Sequence, residues 1–331
     1  MIGTEKNATA QGSTMDAEQQ IEFDTKAKEQ IPASIRMISG CRDSQTAADV
    51  TDLGSFSLPS PDGRSGGAST AVFLKTLYDA KNDGTLSSLN WVDLLQAMKE
   101  KLDGKGYSQV PQLSSSSMMN IKEPVKFVND DPNGTKRAVL VGINYVGLPG
   151  QLSACHYDVK KVKEYLITEL GFEEKNMIIL MDDDHHTRPT KYAILTAYRR
   201  LVEESKAGDT VYCHFSGHGS RVVDTNGDED DGYDETLIPV DFYRAGQIVD
   251  DDLLKLFVKP MAKGVLMTCM FDCCHSGTVL DLPYYFNADD DEKKMQRLSD
   301  FKFDKKISVV QIICCLPICL FTCFRVIICG E

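Results

Sequence analysis

Apolar and polar positions switch period in a regular way along the second half of the chain. Ala138-Val139-Leu140-Val141-Gly142-Ile143 is a continuous apolar run, the pattern of a strand buried on both faces. Residues 158–170 then repeat at helical spacing. Residues 177–181 predict a second strand, 190–204 a helix and 210–215 a third strand. Residues 250–257 predict a short helix and 265–271 a fourth strand. Strand–helix alternation predicts an α/β/α sandwich around a mostly parallel sheet, with active residues at the carboxyl ends of the strands.

The first half is patterned more weakly. Residues 34–40 predict a strand running into a glycine turn, 55–67 a loop and 71–80 a helix. Residues 90–102 predict an amphipathic helix capped by Asn90, with Leu94, Leu95, Met98 and Leu102 on one face. Residues 1–30 are polar and are expected to be a disordered leader. The expected division is therefore a leader at 1–30, a first region at 31–124 and a linker at 125–136. A catalytic region at 137–286, an acidic linker at 287–307 and an apolar, cysteine-rich tail at 308–331 follow.

Charge narrows the partners. With 36 Lys plus Arg against 49 Asp plus Glu, the net charge of −13 excludes nucleic acid as the expected partner. It suits cations and basic peptides. The 11 cysteines are odd in number and irregularly spaced, and no apolar signal segment opens the chain. A reducing, cytoplasmic setting and a monomer are expected, with cysteine used for chemistry.

Two strand ends carry that chemistry. The third strand leads into His214-Phe215-Ser216-Gly217-His218-Gly219, the fourth into Phe271-Asp272-Cys273-Cys274-His275-Ser276-Gly277. On adjacent parallel strands His218 and Cys274 would meet above the sheet edge. A nearby imidazole lowers a thiol pKa from its usual value of about 8.5 and populates the nucleophilic thiolate. The amides of Gly219 and Cys274 would then serve an oxyanion. A zinc site built from Cys269, Cys273, Cys274, His214 and His218 is an alternative, although no two-cysteine knuckle spacing is present. Cys213 lies five residues before His218, and Cys269 five before Cys274. Matching register would put these two thiols side by side, as a redox-sensitive pair or as two buried apolar-like cysteines.

Ser-Gly-His-Gly and Asp-Cys-Cys-His-Ser-Gly resemble the catalytic loops of metacaspases, the caspase relatives of plants, fungi and protists. The region 137–286 is similar to the large subunit of that family, including Gly142-Ile143-Asn144-Tyr145 and Gly277-Thr278-Val279-Leu280-Asp281-Leu282-Pro283-Tyr284. The small subunit resembles segments placed in front: Met37-Ile38-Ser39-Gly40-Cys41-Arg42-Asp43-Ser44-Gln45-Thr46-Ala47-Ala48-Asp49, Trp91-Val92-Asp93-Leu94-Leu95 and Val110-Pro111-Gln112-Leu113-Ser114-Ser115-Ser116. This swapped order is similar to the type III metacaspases of algae. The resemblance implies a cysteine endopeptidase with Cys274, the second of the pair, as nucleophile and His218 as base. It implies a pocket of Asp158, Ser216 and Asp272 that selects Arg or Lys before the cut. Asp158 could instead be a helix-start charge, and Asp272 could instead orient His218.

Residues 224–235 imitate an EF-hand loop, but Glu229 stands where the turn glycine belongs, so an EF-hand is rejected. The resemblance implies a different Ca²⁺ site, an activating one, at Asp234, Asp250, Asp251 and Asp281. For Asp250 and Asp251, helix capping is the plainer role. The tail at 309–329 is near transmembrane length, but Pro317 and Arg325 interrupt it. A membrane anchor, a palmitoylated segment and a translated non-coding extension all account for it. A catalytically idle calcium-binding signalling module and a zinc structural protein remain as rival functions.

Overall fold

The computed structural model describes residues 16–40, 49–50, 66–224, 232–298 and 301–303. The elements below belong to the compact unit Met1–Phe301. The tail expected at 308–331, most of the acidic loop and the family-like stretch Cys41 to Ala48 lie outside the described residues.

The chain begins with α1 (Ala17–Gln30), β1 (Ser34–Ser39), β2 (Asp49–Val50), β3 (Gly66–Gly67), α2 (Ala68–Asn82), α3 (Trp91–Asp103) and β4 (Gln112–Ser115). The alternating part runs β5 (Lys136–Gly142), α4 (Cys155–Thr168), β6 (Met177–Met181), α5 (Lys191–Glu204) and β7 (Thr210–Ser216). It continues through β8 (Gly219–Val223), β9 (Tyr233–Leu237), α6 (Phe242–Ala245), β10 (Ile248–Val249), α7 (Asp250–Leu253) and β11 (Leu266–Asp272). The last strands are β12 (Tyr284–Asn287) and β13 (Gln296–Arg297).

One eight-stranded sheet has the order β13-β12-β4-β1-β11-β7-β5-β6. Strands β1, β11, β7, β5 and β6 are parallel, and β4, β12 and β13 are antiparallel additions at one side. The front region thus supplies β1 and β4 to the same sheet that carries β7 and β11. Alternation along the strands gives the sheet two apolar faces. Val139, Val141, Cys213, Phe215, Cys269 and Phe271 pack against Ile194, Tyr198 and Leu201 of α5. Helix α4 packs on β5 and β7, and α2 packs against α3 and α4.

Local chemistry explains the helix starts. Asn90 accepts the Asp93 amide at 3.0 Å, and Thr190 caps α5 through the Ala193 amide. Two expectations need correction. Residues 17–30, expected within a disordered leader, form α1. Asp16 and Gln19 make a reciprocal capping box. Phe23 packs edge-on against Tyr284 at 5.7 Å, and Asp24 accepts Tyr284 Oη at 2.7 Å and Arg297 at 3.0 Å. Helix α4 begins at Cys155 rather than Asp158, so Asp158 sits inside the first turn and faces the interior.

Candidate active site

Strands β7 and β11 are neighbours in the register the cysteine spacing predicts: Cys213 faces Cys269, and Ser216 faces Asp272. The loops that leave them stay in backbone contact. Gly217 N–H points to Asp272 O at 3.4 Å. A Cβ on Gly219 would lie 2.0 Å from the Cys274 carbonyl oxygen, so only glycine lets the histidine loop press against the cysteine loop. Cys273 is 1% exposed and belongs to the core, whereas Cys274 is partly exposed. The turn after it is tight: His275 has φ of 51°, and Ser276 Oγ donates to Cys273 O at 3.0 Å.

His218 is held from three directions. Its Nε2 lies 2.6 Å from Gly150 O, a contact that assigns the proton to Nε2 and leaves Nδ1 as the basic nitrogen. Its ring packs on Tyr145, centroid to centroid 4.6 Å. Its amide donates to Tyr145 Oη at 2.9 Å, and that hydroxyl donates to Ile238 O at 2.7 Å. Burial pushes the Tyr145 phenol well above its usual value, so the hydroxyl keeps its proton.

The loop bearing Tyr145 and Gly150 is itself anchored. Asp182 accepts the amides of Asn144 at 2.8 Å and Val146 at 3.0 Å and faces His156 Nε2 at 2.6 Å. Burial opposes charge on Asp182, but His156 and the two amides outweigh it and hold the carboxyl below its usual range. On the other side, Gln112 Nε2 and Ser114 Oγ of β4 donate to Gly277 O at 2.8 and 3.1 Å, fixing the loop that follows Cys274. Tyr145, Gly150, Asp182, Gln112 and Ser114 were not singled out from sequence for these roles. The family-like stretches with Asn144-Tyr145 and with Gln112 to Ser114 were the signals that could have pointed to Tyr145, Gln112 and Ser114; Gly150 and Asp182 had none.

Asp158, Ser216 and Asp272 come together. Ser216 Oγ donates to Asp158 Oδ2 at 2.7 Å, and Asp158 also accepts Gly67 N at 2.9 Å. Asp272 Oδ2 accepts both Thr70 N and Thr70 Oγ1 at 2.7 Å. The group that orients His218 Nε2 is therefore the Gly150 carbonyl, not Asp272.

The acids expected to bind Ca²⁺ are partly gathered. Asp250 is 1% exposed and accepts the amides of Glu235 and Asp251, each at 2.6 Å. Burial, with Asp234 and Asp251 nearby, pushes its carboxyl up to about 7. Buried Glu235 accepts Thr278 Oγ1 at 2.9 Å, which joins this acidic region to the loop after Cys274. Among the described residues, no group of three or more His, Cys, Asp or Glu side chains is arranged to hold a metal ion. The set Asp234, Asp250, Asp251 and Asp281 is thus not assembled as a ready cage. The zinc alternative fails on strand alternation as well. His214 and Cys213 are consecutive on β7 and face opposite sides of the sheet, which parts His214 from Cys269. No helix among the described residues is long and apolar enough to cross a membrane.

A partly exposed cysteine and an anchored histidine on abutting loops, at the carboxyl edge of a parallel sheet, form the layout of a thiol hydrolase. Residues 136–283 match the family model described as metacaspase, peptidase C14 domain. The chain is 48% identical over 286 residues to Metacaspase III c of Phaeodactylum tricornutum, covering 86% of this chain and 85% of that protein. It is 47% identical over 157 residues to Metacaspase-1A of Aspergillus oryzae and to Metacaspase-1 of Emericella nidulans. It covers 38% and 39% of those fungal proteins, and each match takes in 47% of this chain. The chain belongs to the metacaspase family, and it is a cysteine-type peptidase with a caspase-like α/β/α fold.

Proposed function

We propose that the protein is a calcium-dependent endopeptidase that cleaves after Arg or Lys through a Cys274–His218 dyad. The observation that carries this reading is the contact of the two catalytic loops, Gly219 against the Cys274 carbonyl, with the Asp158–Ser216–Asp272 group directly beneath it. His218 Nδ1 takes the Cys274 proton, and the thiolate attacks the scissile carbonyl carbon. The amides of Gly219 and Cys274 stabilise the oxyanion. The C–N bond breaks as His218 returns the proton to the leaving amine, giving a thioester. Water, deprotonated by His218, attacks the thioester and releases the carboxylic acid and the thiol.

Buried carboxylates of Asp158 and Asp272 favour a guanidinium or ammonium by charge-assisted hydrogen bonds and repel an acidic side chain. A Ca²⁺ ion suits the chemistry of the Asp250 region. There, burial first, and then the neighbouring Asp234 and Asp251, push the Asp250 carboxyl up to about 7, and a hard divalent cation would relieve the repulsion. Asp234, Asp250, Asp251 and Asp281 would hold it, and Glu235 with Thr278 would link that region to the Cys274 loop. Fluorogenic peptides ending in Arg, Lys or Asp, assayed with Ca²⁺ or chelator, test the reading. Cleavage confined to Arg and Lys and dependent on Ca²⁺ is expected. Hydrolysis after Asp, or equal rates in chelator, would contradict it.

A further inference from the structure

The end of β3 and the first turn of α2 sit between the two acids of the proposed pocket. Gly67 N donates to Asp158 Oδ1 and Oδ2 at 3.1 and 2.9 Å, and Thr70 donates twice to Asp272 Oδ2 at 2.7 Å. The seat is tight. A Cβ on Gly67 would lie 2.2 Å from Asp272 Oδ2 and 2.9 Å from Asp158 Oδ2. Both acids are sheltered, at 2% and 5% exposure. A basic side chain entering this pocket meets carboxylates that already accept hydrogen bonds from the chain's own backbone.

We infer that the Gly67–Thr70 segment, the end of β3 with the first turn of α2, is a gate on the pocket and that Thr70 determines how strongly a basic side chain is preferred over a small one. The inference rests on Asp158, Ser216 and Asp272 being the specificity pocket. An incoming guanidinium exchanges its charged donors for the neutral donors of Gly67 and Thr70, and charge-assisted bonds are the stronger set. The closed turn lowers apparent affinity in proportion to the fraction of molecules that are open. The strand end is lightly held, since β3 pairs with β2 over two residues only, Asp49 with Gly67 and Val50 with Gly66, while Thr70 lies in the buried first turn of α2. A substrate with a small side chain at the cleaved residue never reaches the acids, so the gate does not affect it. The turn comes from the region ahead of the catalytic one. That region thereby controls a pocket built from α4, β7 and β11.

The test uses the full chain and two fluorogenic peptides that differ only in Arg or Ala before the cut. Wild type, Thr70→Val, Thr70→Ser and Asp272→Asn are compared. Thr70→Val removes the Oγ1 donor and destabilises the closed turn. It is expected to lower KM for the arginyl peptide at least about threefold, to leave KM for the alanyl peptide within about twofold, and to leave kcat unchanged. Thr70→Ser restores wild-type values. An unchanged or raised arginyl KM in Thr70→Val, while wild type prefers Arg and Asp272→Asn loses that preference, overturns the gate and leaves the pocket standing. Absence of Arg preference in wild type removes the pocket and the gate with it. Hydrogen exchange on wild type needs no variant. Agmatine, a small guanidinium probe, should speed exchange at the Gly67 and Thr70 amides. Slower or unchanged exchange with agmatine bound contradicts the gate.

Discussion

The Gly150 carbonyl oxygen lies 2.6 Å from His218 Nε2, and this single backbone contact leaves Nδ1, the base of the proposed dyad, as the free imidazole nitrogen. The contact is held because the Tyr145 ring packs tilted on the imidazole and its hydroxyl accepts the His218 amide, while Asp182 ties down the loop that carries Tyr145 and Gly150.

Tyr145→Phe keeps the ring and deletes the hydroxyl. It leaves the His218 amide and the Ile238 carbonyl short of one partner each, a stability cost of about 1–3 kcal/mol. The expected kinetic result is a fall in kcat of about tenfold at nearly constant KM, because the base rather than the substrate is misplaced. Steady-state kinetics beside a thermal melt checks this. A change confined to Tm would reduce Tyr145 to a packing residue.

Gly219→Ala puts a methyl group 2.0 Å from the Cys274 carbonyl oxygen. The loops must part, and a displacement of that size costs on the order of 100-fold in kcat. Cys274 should remain alkylatable by iodoacetamide in the folded variant. Retained activity would show that the two loops do not need this contact.

Asp250, one of the acids proposed to hold Ca²⁺, makes stability depend on pH. Its folded carboxyl titrates at about 7, above the usual carboxylate value, so between these values the folded state binds the extra proton. Stability without metal therefore falls as pH rises from about 4 to 7, by about 1.4 kcal/mol for each pH unit crossed, and stays low above that. Asp250→Asn should be more stable than wild type at pH 8 in chelator and gain nothing at pH 4. Added Ca²⁺ should raise the wild-type Tm at pH 8 and raise that of the variant less. Melts across pH with and without Ca²⁺ decide it, and equal Ca²⁺ effects on both proteins would remove Asp250 from the site.

Cys213 and Cys269 are register partners, fully buried and unlinked. Burial first, and then the hydrogen bond with Cys269, push the Cys213 thiol well above its usual value, so Cys213 offers little thiolate in the closed core. Graded diamide followed by thiol counting should show loss of these two thiols together with activity, and the Cys213→Ser, Cys269→Ser double variant should resist. Activity lost while both thiols remain free would end the redox assignment.

How much of this was legible beforehand follows the physics of each element. The β7–β11 register could be read because two five-residue spacings, Cys213 to His218 and Cys269 to Cys274, are equal and parallel strands preserve spacing. Helix α3 announced itself through Asn90 and its apolar stripe, and α5 through helical spacing alone, its Thr190 cap emerging only in the fold. Helix α1 did not, because its stability comes from distant contacts of Phe23 and Asp24 with Tyr284 and Arg297, not from an apolar face of its own. The side chains of the site carry sequence signatures. Its backbone groups, Gly150 O and the Gly67 and Thr70 amides, do not, since every residue has an amide or a carbonyl and only the fold decides where it points.

The central claim is that Cys274 is the attacking sulfur, and affinity labelling tests it most directly. An arginyl chloromethyl ketone is added with Ca²⁺, and the adduct is located by peptide mass mapping. One adduct on Cys274 is expected, lost in Cys274→Ala, greatly slowed in His218→Ala and unaffected in Cys273→Ala. An adduct on Cys273, or peptide cleavage that persists in Cys274→Ala, would contradict the account.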